Sequence, residues 1–298
     1  MKKYFIFFLK LIKSLLFRPI TTFEWVIEDF KKDLNAKKYK SPHKLVWCAG
    51  LPKSGTTLIE EIFDNLPYVR LNNSFNRLFN PGVLDHDHGI SDQMFKNLSN
   101  EKFSFFKTHT HYEKKYEKIA INYNLKIIIS LRDLRDMLIS RYFHILADKK
   151  HWLHKSIKDL NFTDGFIASL SARENKNSID SLNYYYNWVS NWLDISKEKK
   201  YLVLWYEDYK QNPINYIKKI LDYTSFDEFS PSEINNKILI KKNKLPLSKN
   251  LKIHGRLRST FRKGVVGEWK ELFNNKISDY FYKNIPQNIE KIEHKYNT

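Results

Sequence analysis

Five consecutive residues, Lys53-Ser54-Gly55-Thr56-Thr57, have the make-up of a loop that holds an anion. A lysine supplies charge, glycines at Gly50 and Gly55 let the backbone approach closely, and hydroxyls follow. If a helix starts here, its first N–H groups and the positive end of its dipole face a phosphate or sulfate group. Farther on, Arg132 and Ser140 stand eight positions apart. They offer a planar multi-donor fork and a compact hydroxyl, both suited to a doubly charged phosphate. Arg262-Lys263-Gly264 adds a second basic, glycine-containing stretch. Lys107-Thr108-His109 closes a β-prone run. There a neutral imidazole could take a proton from a hydroxyl or an amine. A glycine turn, a surface arginine, a helical serine or a solvated histidine is commonplace singly; their occurrence together in order is not.

Strands and helices must present these groups. Lys44 to Cys48 is apolar and β-prone, and Thr56 to Phe63 has a helical pattern, so the anion loop joins a strand to a helix. Leu125 to Leu131 is a buried-type strand ending on Arg132, followed by a helical pattern through Ser140, Tyr142 and His144. Phe103 leads to His109 and Tyr201 to Tyr206 in the same style, the latter followed by Asn212-Pro213. The expected class is therefore α/β, a P-loop-type three-layer fold with a central parallel sheet flanked by helices. A chain of 298 residues, 42% hydrophobic and 15% aromatic, can fill the core of one such domain.

The spacing of Gly50 and Gly55 is similar to that of a Walker A loop, but Thr56 occupies the position where that loop carries its lysine. Pro52-Lys53-Ser54-Gly55-Thr56-Thr57 instead resembles the 5′-phosphosulfate loop of the sulfotransferases that use 3′-phosphoadenosine 5′-phosphosulfate, PAPS. Arg132 and Ser140 match that family's 3′-phosphate pair, and Arg262-Lys263-Gly264-Val265-Val266-Gly267-Glu268-Trp269-Lys270 resembles its C-terminal Arg-Lys-Gly-x-x-Gly-Asp-Trp-Lys segment, with Glu268 for aspartate. The resemblance covers residues 44 to 275 in separate blocks. It implies an enzyme moving a sulfuryl group from PAPS to a hydroxyl or amine. Lys53 would act on the bridging oxygen and Lys107 on the sulfuryl oxygens, with His109 as general base. The same comparison gives the 5′-phosphate to Lys53, Ser54, Gly55, Thr56 and Thr57, the 3′-phosphate to Arg132, Ser140, Arg262, Lys263 and Gly264, and an adenine contact to Tyr206. The scheme requires no metal.

Three features depart from the pattern or lie outside it. Leu58 stands where cytosolic members of the family usually carry an adenine-stacking tryptophan, so base recognition must use another group or be weaker. Asn274-Asn275 and Asp279 replace the family's C-terminal dimer motif after Lys270. Residues 1–17 form a basic, apolar stretch whose helical wheel sets Lys2, Lys3, Lys10 and Lys13 apart from Phe5, Phe8, Leu9, Ile12, Leu15 and Leu16. It is too short and too charged to span a bilayer comfortably, and it reads as an amphipathic helix lying on an anionic membrane.

The expected organisation is an N-terminal amphipathic segment and lead-in over 1–40 and a sulfotransferase-like domain over 41–298, entered at Ser41-Pro42. A single cysteine excludes an intrachain disulfide and favours a reducing, cytoplasmic location. The net charge of +18 suits an anionic cosubstrate or surface. The acceptor is expected to be a small molecule, a lipid or a glycan, and no nucleic-acid partner is expected. Residues 72–100 and 145–183 are the segments expected to shape its pocket. Two alternative readings are a P-loop nucleotide kinase and a non-catalytic nucleotide-binding protein on a membrane surface.

Overall fold

The computed structural model describes residues 27, 30–37, 39, 45–71, 103–173, 179–244, 252–253, 256–257, 264–285 and 292–293. The amphipathic pattern over 1–17, the entry at Ser41-Pro42, residues 72–100, Arg262 and Lys263 lie outside the described residues. In chain order the elements are β1 (Leu45–Gly50), α1 (Thr56–Asp64), β2 (Val69–Leu71), β3 (Phe103–Thr108), α2 (Lys115–Asn122), β4 (Lys126–Leu131) and α3 (Leu134–Ala147). They continue as α4 (His154–Ile157), α5 (Phe162–Ser171), α6 (Ser181–Lys199), β5 (Leu202–Trp205), α7 (Tyr206–Gln211), α8 (Pro213–Thr224) and α9 (Pro231–Lys244). A two-stranded antiparallel ribbon of β6 (Lys252–Ile253) and β7 (Arg256–Leu257) precedes α10 (Trp269–Leu272) and α11 (Asn275–Asn284).

The expected central parallel sheet is present, five strands in the order β2-β3-β1-β4-β5, flanked by helices. Its inner strands read as continuous apolar runs because a parallel strand covered on both faces has no solvent side. Two boundaries differ from the sequence expectation. β1 runs on to Gly50 because Ala49 still pairs in register with Thr108 of β3. Tyr206 begins α7 rather than ending β5, and Glu207 and Asp208 in that first turn favour a helix N-terminus.

Contacts divide the chain into two compact units: residues 1–50, 56–128 and 213–244, and residues 51–55, 129–212 and 245–298. In the first, Val46 pairs with Phe105 and Cys48 with Lys107 along β1 and β3. The buried indole of Trp47 donates to Thr108 Oγ1 at 2.9 Å. Phe105 stacks on Phe63 of α1 at 4.6 Å between ring centroids, and Tyr68 meets Phe103 at 4.8 Å and Phe226 at 5.5 Å. Each such ring removed from water contributes about 1.5–3 kcal/mol.

The second unit is built on α3, a helix buried around most of its circumference. Its N-cap Asp133 accepts from the Arg135 N–H at 3.0 Å and binds the Arg135 guanidinium through both carboxylate oxygens, at 2.9 and 2.6 Å. That guanidinium lies 3.6 Å over the Trp269 ring and donates to Glu293 Oε1 at 2.7 Å, tying α3 to the C-terminal stretch. Behind it, the fully buried Glu207 accepts from the Asp133 N–H at 3.1 Å. Among the described residues Glu207 Oε2 has no hydrogen-bond partner. Burial pushes this carboxyl up from its ordinary 4.5 to about 7.

Two stability measurements follow from this cluster. Asp133→Ala leaves the Arg135 charge without its main partner, and urea unfolding should show a loss of roughly 3–5 kcal/mol. Glu207 acts in the opposite sense. Its folded pKa lies above its unfolded one, so its contribution is full below about pH 4.5 and is lost as pH rises to about 7. Glu207→Gln keeps the acceptor for Asp133 and removes the titration. It should flatten the fall in stability over that range by on the order of 3 kcal/mol.

Candidate anion-binding and proton-transfer site

The loop after β1 is turned by two residues in the left-handed region, Lys53 at φ 65° and Gly55 at φ 89°. Only glycine suits the second position: a Cβ there would also lie 2.7 Å from Cδ2 of the Tyr206 ring. Ser54 fixes the loop. Its buried hydroxyl lies 2.6 Å from Leu51 O, 2.9 Å from Ser130 O and 3.0 Å from Ser130 Oγ, and its N–H donates to Leu51 O at 3.2 Å. Leu51 N–H in turn donates to Ser130 O at 2.9 Å. The chain then enters α1 at Thr56. A helix cannot satisfy its own first N–H groups internally, so this turn presents donors.

Arg132, at the end of β4, gathers the rest of this cluster. Its guanidinium donates to Val265 O at 2.6 Å and to Lys53 O at 3.4 Å, lies 3.8 Å from Asp136 Oδ2 and sits 5.1 Å over the Tyr206 ring. The buried Nε has no hydrogen-bond partner among the described residues. Tyr206 donates its phenol to the carbonyl of Gly264, which is itself at φ 62°. Asp136 accepts from the N–H groups of Gly267 at 2.6 Å and Trp269 at 3.0 Å. Burial pushes the Asp136 carboxyl up, and these two N–H donors and Arg132 oppose that shift. Ser140 is buried on α3, one turn beyond Asp136 and on the same face. His144 is a further turn on; burial and the nearby Lys53 charge push its imidazole down to about 4.

The Lys-Thr-His end of β3 belongs to the first unit. Lys107 forms an ion pair with Glu60 of α1. His109, just past the strand, places Nδ1 2.7 Å from the carbonyl of Gly50. A carbonyl can only accept, so Nδ1 carries a proton, and when the ring is neutral its lone pair lies on Nε2, the tautomer that a base requires. His111 differs: burial lowers it to about 4, so it is neutral near pH 7. Cys48, opposite Lys107 in the sheet, is buried and its thiol is pushed up to about 12, which makes it inert.

The structure thus joins Lys53, Ser54, Gly55, Arg132, Tyr206 and Gly264 in one cluster. Lys107 and His109 are described at the end of β3, and Thr56 and Thr57 in the first turn of α1. Two contributing residues carried no role in the sequence reading. Asp136 could have been found from its i, i+4 spacing to Arg132. Glu60 carries no such local signal, since its partner is 47 residues away. Among the described residues no cluster of His, Cys, Asp and Glu could hold a metal ion, and no helix is long and apolar enough to cross a membrane.

Comparison with known proteins agrees with this geometry. A family model described as "Sulfotransferase domain" matches residues 43–293. Flavonol 3-sulfotransferase of Flaveria bidentis is 25% identical over 285 residues, covering 86% of this chain and 85% of the relative. Sulfotransferase 1 family member D1 of Mus musculus is 28% identical over 245 residues, with 74% and 75% covered. The fold is similar to that of mouse sulfotransferase SULT7A1 complexed with PAP, at TM-score 0.58, 18% identity and 87% and 89% coverage. It is also similar to that of a retinol dehydratase in complex with retinol and PAP, at TM-score 0.53, 17% identity and 90% and 87% coverage. With a family model spanning most of its length, the chain belongs to the sulfotransferase domain family, whose cytosolic-type members transfer sulfuryl groups from PAPS.

Proposed function

We propose that the protein transfers the sulfuryl group of PAPS to a hydroxyl or amine of a small-molecule acceptor, using residues 41–298 as its catalytic domain. The observation that carries this reading is the loop over Lys53 to Thr57: two left-handed residues turn the backbone at the head of α1, and the hydroxyl of Ser54 holds it there. The donor set fits an anionic nucleotide. A buried Arg132 Nε lacks a partner among the described residues, and the cradle at Gly55 admits no side chain. PAP, named with two solved relatives of this fold, is the nucleotide left once PAPS has lost its sulfuryl group.

In this reading the N–H groups and hydroxyls of Thr56 and Thr57, with the Gly55 backbone, take the 5′-phosphate, while Ser54 keeps the loop in shape. Arg132, Ser140, Arg262, Lys263 and Gly264 take the 3′-phosphate, and Tyr206 lies toward the adenine. PAPS supplies the sulfuryl group, whose bond to the 5′-phosphate breaks as the acceptor's bond to sulfur forms. His109 Nε2 receives the acceptor's proton. Lys53 stabilises charge on the bridging oxygen as it leaves, and Lys107 does so at the sulfuryl oxygens. Charge placement of this kind is usually the largest catalytic contribution.

Support for a small-molecule acceptor comes from relatives named for a flavonol and for retinol. A hydroxyl-bearing lipid or glycan is the wider class. The buried single cysteine supports a reducing, cytoplasmic location, and the basic apolar pattern over 1–17 supports peripheral attachment to an anionic membrane.

Turnover with radiolabelled PAPS and extracts of small molecules, lipids and glycans tests the activity. Lys53→Ala should lower turnover on the order of 100-fold with little loss of nucleotide affinity. His109→Ala should do the same, and His111→Ala should change little. Unchanged turnover in Lys53→Ala, or the reverse order for the two histidines, would remove those residues from the mechanism.

Vesicle sedimentation tests the membrane reading separately. Deleting residues 1–17 should release the protein from anionic vesicles and leave transfer to a soluble acceptor intact, and raised salt should weaken attachment of the full chain. Retention of the truncated chain on vesicles would end that reading.

A further inference from the structure

β3 and α1 run in opposite directions and meet through two successive rungs. The first is apolar: Phe105 of β3 stacks on Phe63 of α1. Two residues on along the strand, and three residues back along the helix, the second is polar: the Lys107 ammonium against the Glu60 carboxylate. Strand and helix periods match at this step, since residues two apart share a strand face and residues three apart share a helix face. The stacked rings therefore fix where the polar rung falls. It falls at the carboxyl end of β3, where open α/β sheets bind their ligands, and one helical turn from Thr56 on the same face of α1.

The lysine side chain is 15% exposed and the glutamate 25%. The pair is thus largely shielded from water, which strengthens the hold of one partner on the other. Its consequence is orientation. A lysine side chain has wide rotamer freedom, and a carboxylate taking one of its three N–H donors limits that freedom and leaves two donors for other acceptors.

We propose that Glu60 is a positioning residue for sulfuryl transfer: it aims the Lys107 ammonium and partly neutralises it, so that Lys107 engages the sulfuryl oxygens as charge develops on them rather than gripping the anionic donor beforehand. This rests on the role proposed above for Lys107. Interactions that strengthen between bound substrate and transition state raise turnover, whereas equal attraction in both raises affinity alone. Glu60 shifts Lys107 from the second kind toward the first.

Steady-state kinetics of the full chain with PAPS and one accepted acceptor tests this. Glu60→Gln should lower kcat about tenfold and also lower the KM for PAPS, because a loosened and uncompensated ammonium binds the donor more strongly but aims less well. Glu60→Asp, which keeps the charge one methylene farther away, should recover part of kcat. In a Lys107→Met background Glu60→Gln should cost nothing further. A fall in kcat with a raised KM, an equal loss in the Lys107→Met background, or no effect of Glu60→Gln where Lys107→Met is impaired would each overturn the role of Glu60. Unimpaired turnover in Lys107→Met overturns the role of Lys107 itself, and that of Glu60 with it. Should Glu60→Gln fail to fold, Glu60→Asp carries the same comparison, and a wild-type kcat and KM there would overturn the proposal.

Discussion

A single buried hydroxyl sets the shape on which the anion site depends. Ser54 Oγ lies between Leu51 O and Ser130, at 2.6 to 3.0 Å, and so pins the loop that leaves β1 to the end of β4. The loop pinned there turns through left-handed conformations at Lys53 and Gly55. A non-glycine residue at positive φ is uncommon and costs free energy, so its presence at Lys53 marks a position the surroundings over-determine. The lysine at that turn is the one proposed to act on the bridging oxygen. Strain and charge thus fall on one residue.

Arg132 extends the constraint outward. It reaches the carbonyls of Lys53 and Val265, and through Asp136 the N–H groups of Gly267 and Trp269. One arginine beside one buried carboxylate therefore joins the loop, the first turns of α3 and the basic C-terminal segment. Most charges in a protein interior are costly unless paired, and here each is met by an opposite charge or a backbone dipole. The exceptions are informative. The Arg132 Nε and the Glu207 Oε2 have no hydrogen-bond partners among the described residues. The first is a donor suited to an anionic ligand, and the second belongs to a carboxyl that burial leaves only partly ionised near pH 7.

The proton transfer proposed for His109 relies on a different device, the choice of tautomer. The carbonyl of Gly50 accepts from His109 Nδ1, and that one bond decides which nitrogen can act as a base. His111, two residues away, is pushed toward the neutral form by burial. Adjacent histidines of the same type thus differ in what directs them. The lysine beside them, Lys107, is paired with Glu60, and the role proposed for that pair is to direct the ammonium.

The sequence determined what local spacing can encode. Gly50, Lys53, Gly55 and the hydroxyls after it announce an anion loop, and the apolar runs before it and before Arg132 announce parallel strands, because both signals are confined to a few neighbouring residues. The α/β architecture was legible for the same reason. The tertiary structure decided which groups those residues meet. That Ser54 turns inward onto Ser130, that Gly50 sets the His109 tautomer across 59 residues, that Asp136 receives the N–H groups of Gly267 and Trp269, and that Glu60 holds Lys107 all depend on which elements lie side by side. No residue type or period in the chain records those pairings, since a hydrogen bond between distant segments exists only once the strands have taken their order in the sheet.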